Sequence, residues 1–322
     1  TKTKYIPFNI GSRQQIADRL SKIGWKPKQH TDKGNIIINE AVLDTIDMPE
    51  ARKFSRYFLL QKRIAQIKSW IKACDDNDGR VHGRVMTLKT ITGRMSHNSP
   101  NMAQIPAVRS PYGKECRDCW TVEDTSTHSI VGTDASGLEL RCLAHYMNDT
   151  TFTDILLTGD IHTHNMKMAG LTDRDQAKTF IYAFMYGAGA SKIGKIVGAG
   201  AKEGQRLIDN FLSSMTALKR VRDGVTKASA KGKIKGIDGR LLHIRSAHSA
   251  LNTLLQGAGA VVCKIWLINI MTRVRTLGLD AKLVASIHDE YQFEVLNTDV
   301  KKFGQITKDA MKDTEKELHM KC

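Results

Sequence analysis

Apolar residues recur every three or four positions along much of this chain, the spacing of helices with one buried face. Residues 51–73 carry Phe54, Tyr57, Phe58, Leu60, Ile64, Ile67 and Ile71 near that spacing, with Arg and Lys between them, and the segment up to about residue 73 reads as mostly helical and basic. The stretch 129–147, SIVGTDASGLELRCLAHYM, reads as strand, turn and amphipathic helix. A strongly helical segment, DRDQAKTFIYAFMYG, follows, then a Gly-rich stretch, further helices and a Lys/Gly-rich loop, KASAKGKIKGIDGR. The apolar run 258–271 is too short to cross a bilayer and contains Lys264, so it predicts a buried helix. After KLVA (282–285), Tyr291, Phe293 and Val295 alternate with Gln292 and Glu294, which predicts a β-hairpin whose charged turn holds His288, Asp289 and Glu290. A charged helix ends the chain. This order predicts an α+β protein, an antiparallel sheet interrupted by a helical insertion.

The charge narrows the partners. In 322 residues, 49 Lys+Arg against 33 Asp+Glu give +16 and a pI near 9.6. An excess of that size points to a polyanion, most often nucleic acid, ahead of an anionic membrane or a merely solvated basic surface. The six cysteines include one C-x-x-C, Cys116 and Cys119, with no second pair at zinc-ribbon spacing, so free thiols are expected. The start shows no signal-peptide pattern and no Met, as a fragment or a processed piece would. Two motifs are decoys. CDDNDGR places Gly79 at position six of a calcium loop, but Cys74 and Val85 stand where acids are required. Gly189, Gly194 and Lys195 match a P-loop, but Ile196 replaces the Ser or Thr, and a helix rather than a strand precedes them.

Two acids sit at strand ends: Asp134 after SIVGT, and Asp289 in the hairpin turn. If those strands are neighbours the carboxylates meet, and two such groups repel unless a divalent cation neutralises them. Oxygen donors favour Mg²⁺, and two ions about 4 Å apart can clamp an in-line phosphoryl transfer. Arg174, Lys178, Tyr182 and Tyr186 recur at intervals of four, one stripe along a helix. Cations at one end of it can grip a triphosphate while an aromatic further on stacks on a base, and His162 can add a donor.

These residues carry a resemblance. DASGLELR, RDQAKTFIYAFMYG and HDE resemble motifs A, B and C of the polymerase I-like (family A) DNA polymerases, nearest to the replicative enzymes of T-odd podophages. TGRMSH, PNMAQIP, RSPYG, GDIHTHN and ALNTLLQ match in the family order from about residue 85 onward, and PFNIGSRQQIADRLSKIGWKP resembles the entry to the later thumb.

The resemblance implies a right-hand polymerase fold: a thumb remnant and entry to the palm at 1–73, palm at 74–150 and 248–322, and fingers at 151–247. It implies that Asp134, Asp289 and the Ala135 carbonyl hold two Mg²⁺ ions, with Glu290 a secondary acid. Arg174, Lys178 and His162 would bind the triphosphate, Lys178 also donating a proton to pyrophosphate. Tyr182 would pack on the incoming sugar and base, and its hydroxyl would ease acceptance of dideoxynucleotides. Tyr186 would support the templating pocket. Glu139 would exclude a ribose 2′-hydroxyl and could hydrogen-bond Tyr186. Arg94, Gln104, Asn252, Gln256 and His288 would contact the primer–template, chiefly in the minor groove, where acceptors look alike for every correct pair.

The implied partners are primer–template DNA and dNTPs, with no membrane. The family usually carries an exonuclease-like domain and the first half of the thumb upstream. This chain is therefore expected to be a piece of a longer polypeptide, or half of a split polymerase completed by a separate polypeptide. A processivity factor is a further implied partner, and the implied setting is the cytoplasm of a bacterial host of a phage. Two other functions remain: a single-subunit RNA polymerase, which should have a small residue in place of Glu139, and a non-catalytic DNA-binding subunit.

Overall fold

The computed structural model describes residues 7–320; Cys322 and the first six positions of the expected 1–73 segment lie outside the described residues. The chain forms two compact units, one running to Gly83 and taking in Ile105–Arg117, the other holding Arg84–Gln104 and Asp118 onward.

The first unit is helical: α1 (Arg13–Lys22), α2 (Glu40–Leu43), the long α3 (Pro49–Ala73) and α4 (Gly113–Asp118). Ser12 caps α1 by accepting from Gln15 N, and Pro49 starts α3 at the position where a missing N–H costs nothing. Ile16, Ala17, Leu20, Ile38, Leu43, Ile46 and Ala51 form its core, with Phe54 and Phe58 packed against them. The acidic turn after α3 closes on itself: Asp75 Oδ1 accepts from Asn77 N at 2.8 Å, and Asp78 Oδ1 from Arg80 N at 2.9 Å.

The second unit begins with a short ribbon, β1 (Arg84–Met86) on β2 (Ser96–Asn98). Strand β3 (His128–Asp134) leads into α5 (Leu138–Met147). Then come α6 (Thr150–Thr158), α7 (Ile161–Ala169), α8 (Arg174–Met185), α9 (Ala190–Ile196), α10 (Ala201–Ser214) and α11 (Thr216–Ser229). A ribbon of β4 (Lys233–Lys235) and β5 (Leu241–His243) precedes α12 (Ala250–Thr276). The hairpin β6 (Ala281–Ile287) and β7 (Glu290–Leu296) and helix α13 (Val300–Glu317) finish the unit.

The main sheet is antiparallel, in the order β3-β7-β6. Its middle strand is locked to the helices behind it. The Tyr291 hydroxyl donates to Cys263 O at 2.7 Å, and the Phe293 and Phe303 rings lie 4.8 Å apart. Each such side chain contributes about 2 kcal/mol by burial. Strand β7 is therefore anchored at Tyr291, just beyond Asp289 in the hairpin turn.

Three expectations change. The Lys/Gly-rich segment is not a loop: Lys233, Ile234 and Lys235 alternate, and Ile234 pairs with the buried Leu242 across the reversal at 236–240. Glu290 belongs to β7 rather than to the turn. Glu294, which alternates with the apolar positions of its strand, is nonetheless buried, because β7 is the central strand and Ile130 and Lys282 flank it. Finally, the apolar run 258–271 is part of a longer helix that could cross a membrane by length and composition alone. Its most apolar window is 61% buried within the protein, so α12 is a core helix. The described cysteines are free, and burial pushes the Cys263 thiol up to about 12, where it is inert.

Candidate active site

Asp134 is the last residue of β3, and its register partner is Glu290, the first of β7. The Ala135 N–H donates to Asp289 O at 3.0 Å, extending the ladder one step into the turn. A reversal of two residues, with His288 in the left-handed region at φ 58°, thus delivers Asp289 beside Asp134. Burial and then the Asp289 charge push the Asp134 carboxyl above its usual range, while Ser136 pulls it back. A pair of hard oxygen donors that repel each other suits a divalent cation. The Ala135 carbonyl accepts from Leu138 N at 3.2 Å and keeps a second lone pair. Glu290 is turned along its strand, its Oε1 accepting from the Gln292 amide. Gly132 makes room for that amide, since a Cβ there would stand 2.9 Å from Gln292 Nε2.

Helix α8 has two faces. Ala177, Phe180, Ile181, Phe184 and Met185 are buried. Arg174 and Lys178 are exposed, Tyr182 half-buried, and Tyr186 ends the helix as its C-cap. Asp173 caps the start by accepting from Gln176 N at 2.6 Å. At the other end Gly187, at φ 77°, stops the helix.

His162 stands in the first turn of α7, its ring 6.3 Å from that of Tyr182. Burial, then the charges of Arg174 and Lys178, hold its imidazole below the ordinary range, and its Nδ1 is buried without a partner. Burial raises the Tyr182 hydroxyl, and the charges of Glu139 and Asp289 add to it. One phenol therefore feels both the motif-like acid of α5 and the hairpin acid.

Glu139, in the first turn of α5, accepts from the Tyr186 hydroxyl at 2.8 Å and lies 3.5 Å from Arg94 Nη2. Burial first, then that hydrogen bond and charge, push the Tyr186 hydroxyl up to about 12; the Gln256 side chain also bonds to it. Arg94 in turn helps to lower the His288 imidazole, after burial. On α12, Asn252 and Gln256 are one turn apart and are the only partly exposed positions between residues 250 and 263. Gln104 is exposed at the end of a 3-10 turn, Met102–Gln104, that lies beside β2 and β6.

The structure thus brings Asp134, Asp289, Glu139, Tyr182, Tyr186, Arg94, Gln256 and His288 into one connected neighbourhood, with His162, Arg174 and Lys178 along α7 and α8. One participant was missed. Asp160 caps α7 and also holds Arg174, with Nε at 2.7 Å and Nη2 at 3.0 Å. Its only sequence signal is the acid before IHTH, which reads as a cap. A second exposed cluster, Asp75, Asp78 and His82, has ligand atoms within 4.8 Å of one another, but these are engaged in the turn and in the His82–Asp78 pair.

A family profile described as DNA polymerase family A matches residues 2–322. The chain belongs to DNA polymerase family A. The DNA-directed DNA polymerase of Enterobacteria phage T3 is 39% identical over all of this chain and 51% of its own length. That of Escherichia phage T7 is 41% identical over 91% of this chain and 47% of its own length. This family A chain therefore spans about half the length of the curated relatives it matches. The POL domain of Pol1 from M. smegmatis, solved in complex with DNA primer-template and dNTP, superposes with a TM-score of 0.84 over 95% of this chain and 58% of that one, at 20% identity. That likeness carries the fold: α+β, of the right-hand polymerase type.

Proposed function

We propose that this family A chain performs template-directed DNA synthesis. The primer 3′-hydroxyl attacks the α-phosphate of a dNTP; the new Pα–O3′ bond forms, the bond to the bridging oxygen breaks, and pyrophosphate leaves. The observation that carries the reading is the joining of Asp134 to Asp289 across β3 and β7, with α8 tied to the start of α5 through the Tyr186–Glu139 hydrogen bond.

Asp134, Asp289 and the Ala135 carbonyl would hold two Mg²⁺ ions, with Glu290 at their margin. Bound there, the ions would lower the pKa of the primer 3′-hydroxyl and compensate phosphate charge. The chain's own groups do the rest. Arg174, Lys178 and His162 bind the triphosphate, and Lys178 donates a proton to the departing pyrophosphate. Tyr182 packs against sugar and base, and Tyr186 holds the templating pocket. Glu139 occupies the place of a 2′-hydroxyl. Arg94, Gln104, Asn252, Gln256 and His288 reach the primer–template. Asn252 and Gln256 present polar atoms from an otherwise buried stretch of helix, as minor-groove donors must.

In this reading residues 74–150 and 248–322 form the palm, 151–247 the fingers, and 1–73 the later thumb. The partners are primer–template DNA, dNTPs, a separate or continuous segment carrying the exonuclease and remaining thumb, and a processivity factor; the setting is a phage-infected bacterial cytoplasm. The glutamate at position 139 favours deoxynucleotides over the RNA polymerase reading, and the uncompensated acid pair argues against a palm kept only as scaffold. The test is primer extension with Mg²⁺ and dNTPs, with and without polypeptides bearing the upstream half. Extension is expected with the complementing half. DNA binding with no extension in either case would establish the scaffold reading instead.

A further inference from the structure

The carboxylate of Asp160 makes five hydrogen bonds that join two helices. Oδ1 accepts from His162 N at 3.1 Å and Thr163 N at 3.4 Å, and Oδ2 from Thr163 Oγ1 at 2.7 Å, which fixes the start of α7. Arg174, the first residue of α8, adds a bidentate pair through Nε at 2.7 Å and Nη2 at 3.0 Å. A guanidinium is a planar fork of five donors. With its Nε edge taken by Asp160, Arg174 keeps Nη1 without a partner among the described residues. The cation is about half exposed, and a long surface side chain would otherwise sample many rotamers.

An acid is at first sight misplaced here. Arg174, Lys178 and Tyr182 share one stripe of α8, and the His162 ring lies 6.3 Å from that of Tyr182, so the two cations and the imidazole form one cluster, which suits a polyanion. A carboxylate beside it weakens the attraction for phosphate. Capping α7 does not require an acid, since Asn or Ser would serve equally. What neither can do is accept both N–H groups of one guanidinium edge as a charged fork.

We propose that Asp160 is a positioning residue for nucleotide binding. It orients the Arg174 guanidinium and sets its spacing from His162, so that both meet one triphosphate chain without an ordering cost at the moment of binding. This rests on the polymerase reading of the same site. Asp160 itself touches no phosphate.

The two electrostatic roles predict opposite signs, which makes the test decisive. Asp160→Asn keeps the cap and removes the charge. As a positioning residue, Asp160 makes KM for dNTP rise about tenfold on this change while kcat stays within about twofold. The rise disappears in an Arg174→Ala background. A fall in KM would mark Asp160 as a mere counter-charge, and equal changes in both backgrounds would mark it as a merely structural cap; either overturns the proposal. Asp160→Ser, an equally good cap, must behave as Asn does, which controls for a folding defect. Calorimetric titration of the full chain with inorganic tripolyphosphate repeats the cycle without catalysis. Binding that follows the same pattern in a chain that extends no primer keeps the Asp160 assignment and removes the polymerase reading. Normal extension with no effect of Asp160→Asn removes the Asp160 assignment alone.

Discussion

The Tyr186 hydroxyl donates to Glu139 Oε1 at 2.8 Å, tying the end of α8 to the first turn of α5. The bond fixes the carboxylate at the mouth of the proposed sugar pocket, with Arg94 Nη2 3.5 Å from the same oxygen. Glu139→Ala should raise ribonucleotide incorporation relative to deoxynucleotide by about ten- to a hundredfold, the range that one pocket contact provides. Tyr186→Phe should raise it less, because the carboxylate stays but loses its anchor. Single-nucleotide insertion with matched rNTP and dNTP measures both, and unchanged sugar selectivity in Glu139→Ala would sink the assignment.

Tyr182 reaches toward the same pocket from the middle of α8. Burial and the nearby charges of Glu139 and Asp289 keep its hydroxyl protonated, a ready donor where a sugar lacks its own 3′-hydroxyl. Tyr182→Phe should therefore lower the use of dideoxynucleotides relative to dNTPs, read from termination ratios on a primed template. Equal acceptance by the variant would remove that role for the hydroxyl.

Asp289 and Asp134 repel in the absence of a cation, and that repulsion is what lifts the Asp134 carboxyl after burial. Asp289→Ala should abolish primer extension, leave duplex binding intact and raise rather than lower the melting temperature of the metal-free chain. A variant that still extends primers would refute the metal-site reading. A lowered melting temperature would mean that Asp289 supports the fold rather than straining it.

Gly187 adopts φ 77°, and a Cβ on it would stand 1.8 Å from His248 O. Gly187→Ala should cost about 3 kcal/mol, combining left-handed strain with a backbone clash. Gly198, at φ 71° with nothing within 4 Å, is the control. Its alanine variant should cost about 1 kcal/mol from conformation alone. Urea midpoints at constant slope give both values.

The Asp160 carboxyl is held well below the usual carboxylate range, first by its hydrogen bond from Arg174 and then by that from Thr163. Its folded value lies below its unfolded one, so its contribution is present above the unfolded value, about 3.9, and is lost as pH falls toward the folded one. The stability gap between the native chain and Asp160→Asn should be constant from neutral pH to about pH 5 and narrow progressively as pH falls below about 4. The pair is solvated, so salt should shrink the gap. Thermal melts across that pH series check it, and a gap that does not shrink as pH falls below about 4 would show that the charge is irrelevant.

Sequence alone determined what depends on local order. The helical period of 51–73, the strand before Asp134, the alternation of Tyr291, Phe293 and Val295, and the four-residue stripe of α8 are properties of neighbours along the chain. So are the ordered motifs that mark family A. Tertiary structure decided which local pieces meet. Asp134 and Asp289 are far apart in sequence, and only the pairing of β3 with β7 in the register Asp134↔Glu290 makes them a site. The burial of Glu294 followed from a place in the middle of the sheet, which no alternation reveals. Asp160 offers the sequence only a local capping signal, whereas its grip on Arg174 exists only once α7 and α8 fold back side by side. Propensity and period act over a few residues; register and charge pairing act across space, and they placed the acids, the cations and the phenols on one surface.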